Sequence, residues 1–228
     1  VIADQLLLTA LGLWPRSRGL GANWTRLPAA AAARGEIAIT IDDGPDPEVT
    51  PQLLALLAEH RVAVTFFCIG ERAAQFPECV RQAAAAGHAI ENHSYRHGHN
   101  FSLLGPAAMR REIARAQQLL AALAGSAPRF FRAPAGLRNV LLDPLLQSCE
   151  LQLASWTRRG FDTVSRDANS VLARLTRDLA AGDILLLHDG HAARNAAGTP
   201  LLLEVLPRLL AAIQARSLKP VTLRAALR

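Results

Sequence analysis

Apolar residues along the chain come in two alternating rhythms. Short runs rich in Ile, Val, Leu and Phe, at 36–41, 62–70, 88–93, 129–132, 151–156, 184–188 and 220–223, have the branched and aromatic content of buried strands. Between them, 48–60, 72–86, 103–123, 167–179 and 201–215 repeat apolar residues at the spacing that lays one face of a helix on a core. Pro51 is tolerated in the first turn of its helix, Phe76-Pro77 interrupts the next, and Gly87 and Gly182 stand where helices stop. Strand and helix alternate with short connections, and that order implies a parallel sheet. The expected fold is α/β, a distorted or incomplete (β/α) barrel of about seven parallel strands.

Composition sharpens this only in places. A chain of 228 residues, half of them hydrophobic, can bury one large core, and nothing marks a second. The formal charge of +6 comes almost wholly from arginine, Lys219 being the only lysine. With no clustered basic helix and no interleaved aromatics, the expectation is no nucleic-acid partner. Cys68, Cys79 and Cys149 form no Cys-x-x-Cys pair and read as buried thiols rather than ligands. The apolar run 5–14, closed by Pro15, Arg16 and Arg18, is shorter than the roughly 20 residues that span a bilayer. It reads either as the tail of a membrane segment or signal or as a short helix packed on the domain. The expected organisation is an N-terminal extension over 1–35, a remnant of a membrane-proximal segment, followed by one catalytic domain over 36–228. Within the extension, the alanine patch 29–33 reads as a loop or linker.

Polar residues gather where strands end. The first strand stops at Asp42-Asp43-Gly44-Pro45, two adjacent carboxylates at the edge where α/β folds bind ligands. One acid can hold a cation while the other stays free to take a proton. His93 and His97 lie four apart, the spacing that brings both to one face of a helical turn. With one Asp they form a set of two imidazoles and a carboxylate with open positions, as in catalytic zinc sites. Ser94 stands between them where His-Glu-x-x-His peptidases place a base, so the base must come from elsewhere, and Asp42 is the candidate. Arg132, Asp162 and His188 also fall at or after strand ends.

Together, Thr40-Ile41-Asp42-Asp43-Gly44-Pro45, His93-Ser94-x-x-His97, Arg132-x-Pro134-x-Gly136, the 156–162 segment and Leu186-Leu187-His188-Asp189 resemble the five ordered motifs of the polysaccharide deacetylases. These are carbohydrate esterases sharing the nodulation-factor deacetylase domain. The resemblance implies that Asp43, His93 and His97 bind a divalent metal, usually zinc, with cobalt or nickel as alternatives. It implies Asp42 as general base, Arg132 as its holder, His188 as the acid that protonates the leaving amine, and Asp162 as the partner of His188. It also implies an oxyanion contact at the Ala135 N–H, an acetyl pocket lined by Leu186, and a substrate contact at Trp156.

Two departures from that pattern, Thr163 where a groove-lining Trp is common and Ala135 where an aromatic is common, remove faces on which sugar rings stack. His60, His88, His99 and His191 match no motif and read as surface or structural residues, with His99 and His191 placed to rim the site. The resemblance therefore implies metal-dependent removal of an N-acetyl group from an amino sugar in a peptidoglycan- or chitin-like glycan. The alternative is a deacylase or deformylase of a lipid-linked amino sugar, and a glycan-binding pseudoenzyme is a third reading. The expected location is the bacterial cell envelope, periplasmic or membrane-associated through a missing N-terminal segment.

Overall fold

The computed structural model describes residues 2–228. In chain order the elements are helix α1 (Ile2–Leu13), α2 (Ala29–Ala33), strand β1 (Glu36–Asp42), α3 (Val49–His60), β2 (Thr65–Cys68), α4 (Gly70–Gln75), α5 (Pro77–Ala85) and β3 (Ala89–Asn92). They continue with α6 (Pro106–Ala124), β4 (Phe130–Phe131), α7 (Leu142–Ser148), β5 (Gln152–Leu153), β6 (Arg158–Arg159), α8 (Ala168–Thr176), β7 (Ile184–His188), α9 (Leu201–Gln214) and β8 (Lys219–Val221).

The strands pair in parallel in the order β5-β4-β3-β2-β1-β7-β6, and β8 joins the start of β1. This is the expected α/β architecture, a distorted and incomplete barrel. At its open side, Trp24 bridges Ala154 in parallel, so a segment from the N-terminal stretch fills part of the gap after β5.

Strand alternation decides what faces where. Ile37, Ile39 and Ile41 of β1 and Leu185 and Leu187 of β7 pack with α3, α8 and α9 in the outer core. The intervening Ala38, Ile184 and Leu186 pack with Phe67, Phe130 and Trp156. The same two-residue period turns Thr40, Asp42 and His188 to that second, inner face.

Three expectations change. The alanine patch is a helix, α2, with Ala31 fully buried: alanine is the best helix former and its small side chain fits against β1. Helix α7 and strand β6 have no counterpart among the expected elements; β6 is two arginines, with none of the apolar content that marks a strand. Cys68 is buried, but Cys79 and Cys149 are only partly so. Helix α1 leaves Leu6, Leu7 and Leu13 exposed, and none of the described helices is long and apolar enough to cross a membrane.

Candidate active site

The cleft lies at the carboxyl ends of the strands and encloses about 690 Å³. Asp42 is the last residue of β1, and its position two after Thr40 puts both on the inner face. Arg132, 1% exposed, follows β4 and reaches across the barrel interior. Its NH1 donates to Asp42 Oδ1 at 2.6 Å and to Thr40 Oγ1 at 2.8 Å. Nε and NH2 donate to the carbonyls of Ala154 and Ser155 at 3.1 and 2.7 Å, and the guanidinium lies 4.0 Å from the centre of the Phe67 ring. The charge is thus fully engaged, and one Asp42 oxygen is fixed. The other, Oδ2, is 3.7 Å from His93 Nε2 and open to the cleft.

Asp43, His93 and His97 bring three ligand atoms within 4.8 Å of one another. Asp43 Oδ1 is 3.3 Å from Nε2 of each histidine. His93 Nδ1 lies 2.8 Å from the Arg132 carbonyl, which makes Nδ1 the protonated nitrogen and leaves Nε2 with its lone pair toward the cleft. Burial, and after it the neighbouring His93, pulls the His97 pKa down to about 3, so this ring is neutral. Burial alone would push the Asp43 carboxyl up, but the neighbouring imidazoles of His191 and His93 outweigh it and hold it well below the usual carboxylate range.

The two histidines do not share a helical turn, contrary to the spacing argument. Residues 93–97 form a loop in which Ser94 and His97 have left-handed backbones, at φ 62° and 53°. Asn92 Oδ1 accepts the Ser94 N–H at 2.9 Å and Ser94 Oγ accepts the His97 N–H at 3.1 Å; these local bonds replace helical ones and turn both rings inward. Asp43, Ala135 and His191 are left-handed too, and with His97 all line the cleft, the clustering of unfavourable backbone expected at functional sites.

His97 Nε2 is buried and, among the described residues, has no hydrogen-bond partner. An unsatisfied buried nitrogen is costly, and a divalent cation shared with Asp43 and His93 Nε2 would satisfy it. One carboxylate and two neutral imidazoles, with room on the cleft side, fit such an ion.

Across the cleft, His188 ends β7. Asp162 Oδ2 accepts its backbone N–H at 2.7 Å, and Asp162 Oδ1 lies 3.0 Å from Nδ1. Burial opposes protonation of His188, yet the Asp162 hydrogen bond and charge prevail and raise its pKa above the ordinary value. The ring is held at a fixed angle, and Asp162 favours its protonated form. Leu186, Trp156, Ala135 and Thr163 also line the cleft.

Other residues around the site have no chemical role assigned from the sequence. His191 Nδ1 lies 3.7 Å from Asp43 Oδ2, and that carboxylate raises its pKa; both His191 and His99 line the cleft, as the expected rim residues. His88 is buried and accepts the Val64 N–H at 3.1 Å, a structural role. Asp189 is buried, takes a hydrogen bond from Thr50 Oγ1 at 2.5 Å, and its pKa is pushed up to about 7 by burial. It ties the loop after β7 to the start of α3. A side chain at Gly44 would collide with Asp189, and one at Gly190 with the Asp43 backbone, so the two loops interlock only through glycines. The adjacent acid and paired glycines are the available signal in the sequence.

Comparison with known proteins agrees with this architecture. The polysaccharide deacetylase sequence profile matches residues 29–154, which span the Asp42-Asp43, His93 and His97, and Arg132 motifs. A peptidoglycan-N-acetylglucosamine deacetylase of Bacillus cereus is 32% identical over 178 residues, covering 77% of this chain and 64% of the relative. A chitooligosaccharide deacetylase of Sinorhizobium fredii is 34% identical over 174 residues, 72% of this chain and 76% of the relative. The crystal structure of the Bc1960 peptidoglycan N-acetylglucosamine deacetylase superposes with a TM-score of 0.81 at 27% identity, over 90% of this chain and 92% of that one. The chain is a member of the polysaccharide deacetylase family.

Proposed function

We propose that the chain hydrolyses the N-acetyl amide of an amino sugar within a glycan, releasing acetate, at a zinc site formed by Asp43, His93 and His97. The observation that carries this reading is the facing arrangement of an Arg-held carboxylate with a free oxygen, a three-ligand cluster beside it, and an Asp-held imidazole at the end of β7. The names of the relatives, deacetylases of peptidoglycan N-acetylglucosamine and of chitooligosaccharides, support the same substrate class.

When bound, zinc lowers the pKa of a water and polarises the amide carbonyl. Asp42 takes a proton from the attacking water through Oδ2, since Oδ1 is held by Arg132. The new C–O bond forms as the carbonyl carbon becomes tetrahedral, and the Ala135 N–H donates to the developing oxyanion, a contact worth roughly 3 kcal/mol. His188 gives its Nε2 proton to the nitrogen as the C–N bond breaks, because an amine leaves poorly until protonated. Asp162 keeps His188 charged and oriented. Leu186 and Trp156 bound the space beside the reacting amide.

The test is acetate release from N-acetylglucosamine oligomers and peptidoglycan fragments by the zinc-loaded chain. Release that disappears on chelation and returns with zinc supports the reading; no release from any fragment by metal-loaded protein overturns it.

A further inference from the structure

Arginines from separate stretches of the chain meet in a groove of about 440 Å³ beside the cleft. They are Arg16 after α1, Arg158 and Arg159 of β6, Arg174 of α8 and Arg177 just beyond it. Trp14, Trp156 and Phe161 give the groove apolar walls. Trp156 and Arg159 line both cavities, so the groove and the catalytic cleft share a wall.

The charges in the groove are not balanced from within. Arg158 pairs with Asp183 at 2.7 Å, but among the described residues no carboxylate pairs with Arg16, Arg159, Arg174 or Arg177. Arg16 and Arg174 each give one hydrogen bond to a backbone carbonyl, of Thr157 and Gly160. Arg159 Nε is buried without a partner among the described residues, and its guanidinium lies 4.9 Å from the centre of the Phe161 ring. The Arg174 guanidinium lies 5.7 Å from the same ring, so one aromatic side chain steadies two cations. Guanidiniums gathered without acids repel one another, and an anion of more than one charge removes that cost while accepting paired N–H donors.

Resting on the deacetylase reading above, we propose that this groove receives a phosphate or diphosphate attached to the reacting amino sugar, and that phosphorylated amino sugars are favoured over neutral oligomers. The shared wall at Trp156 and Arg159 lets one molecule place its amide in the cleft and its anion in the groove. A free sugar phosphate and a lipid-linked diphosphate present the same chemistry. Trp14, which lines the groove, is 56% exposed, and Leu6, Leu7 and Leu13 of the preceding helix α1 are exposed as well.

The experiment compares kcat/KM of the zinc-loaded chain for a neutral N-acetylglucosamine oligomer, N-acetylglucosamine 1-phosphate, and N-acetylglucosamine joined through diphosphate to a short polyprenyl chain. A phosphorylated substrate should exceed the neutral one at least about tenfold, and R174E/R177E should reduce that ratio by at least about tenfold, the scale of a charged hydrogen bond. Preference for the polyprenyl substrate alone assigns the anion to a lipid carrier, and preference for both phosphorylated substrates assigns recognition to phosphate itself. Equal rates on neutral and phosphorylated substrates, or a ratio indifferent to the substitutions, overturns the proposal and leaves the deacetylase reading standing. If no substrate is turned over, the deacetylase reading fails, and calorimetry with N-acetylglucosamine 1-phosphate decides the groove alone. Binding weakened at least about tenfold in R174E/R177E supports the groove, and equal binding refutes it. R177E, at an exposed position, is read in the same two ways if the double variant does not fold.

Discussion

Among the buried carboxylates held by arginine, Glu91 and Asp42 differ in how many of their oxygens are committed. Glu91, fully buried in β3, has both oxygens engaged: Oε2 accepts the backbone N–H groups of Arg129 and Phe130 at 2.7 and 2.8 Å, and Oε1 accepts from Arg224 at 2.5 Å. It fastens β3 to β4 and to the segment after β8. Asp42 gives only Oδ1 to Arg132 and leaves Oδ2 facing the cleft and the histidines. On the proposed chemistry, the difference between a structural acid and a base is therefore one uncommitted oxygen, placed at a strand's carboxyl end where α/β folds bind ligands.

Substitution at Asp42 should separate the two acids most clearly. Asp42→Asn removes the proton acceptor but keeps an amide beside Arg132, so kcat should fall about 10²- to 10⁴-fold with zinc content unchanged. Steady-state kinetics with metal analysis checks this; retained turnover would put the base elsewhere. Glu91→Ala should do the reverse, costing about 3–5 kcal/mol in urea unfolding because it strands Arg224 and two backbone donors, while kcat of the folded protein holds. A large loss of kcat at native stability would show that Glu91 serves the site.

A smaller effect sharpens the contrast at His188. Asp162→Asn removes the carboxylate that raises the His188 pKa, so the alkaline limb of kcat/KM should move to lower pH. By linkage, a histidine whose folded pKa is raised adds stability that is full below its unfolded value of about 6.5 and is lost as pH rises through the folded one. The variant should therefore lose stability relative to the parent mainly at low pH, as pH-dependent unfolding would reveal.

Much of this is legible in the sequence because strand endings are local signals. The isoleucine alternation of β1 terminates at Asp42-Asp43, and the Leu run of β7 at His188, so barrel and chemistry are located together. Residue spacing alone makes His93 and His97 look helical, because the side-chain bonds from Asn92 and Ser94 that impose a left-handed turn are not encoded in spacing. The arginine groove is invisible for a related reason. Arg16 and Arg177 are far apart in the chain, and only the fold brings them beside Phe161. Strand β6 leaves no apolar trace because it owes its pairing to its neighbour β7 rather than to content of its own.

The proposed chemistry requires that Asp43, His93 and His97 converge on one cation while Asp42 stays outside the ligand set. Anomalous diffraction at the zinc edge from crystals of the zinc-loaded chain measures this directly. The expected result is one peak about 2.0–2.2 Å from Nε2 of both histidines and from an Asp43 oxygen. A peak coordinated by Asp42 in place of Asp43, or none at this cluster, would contradict it.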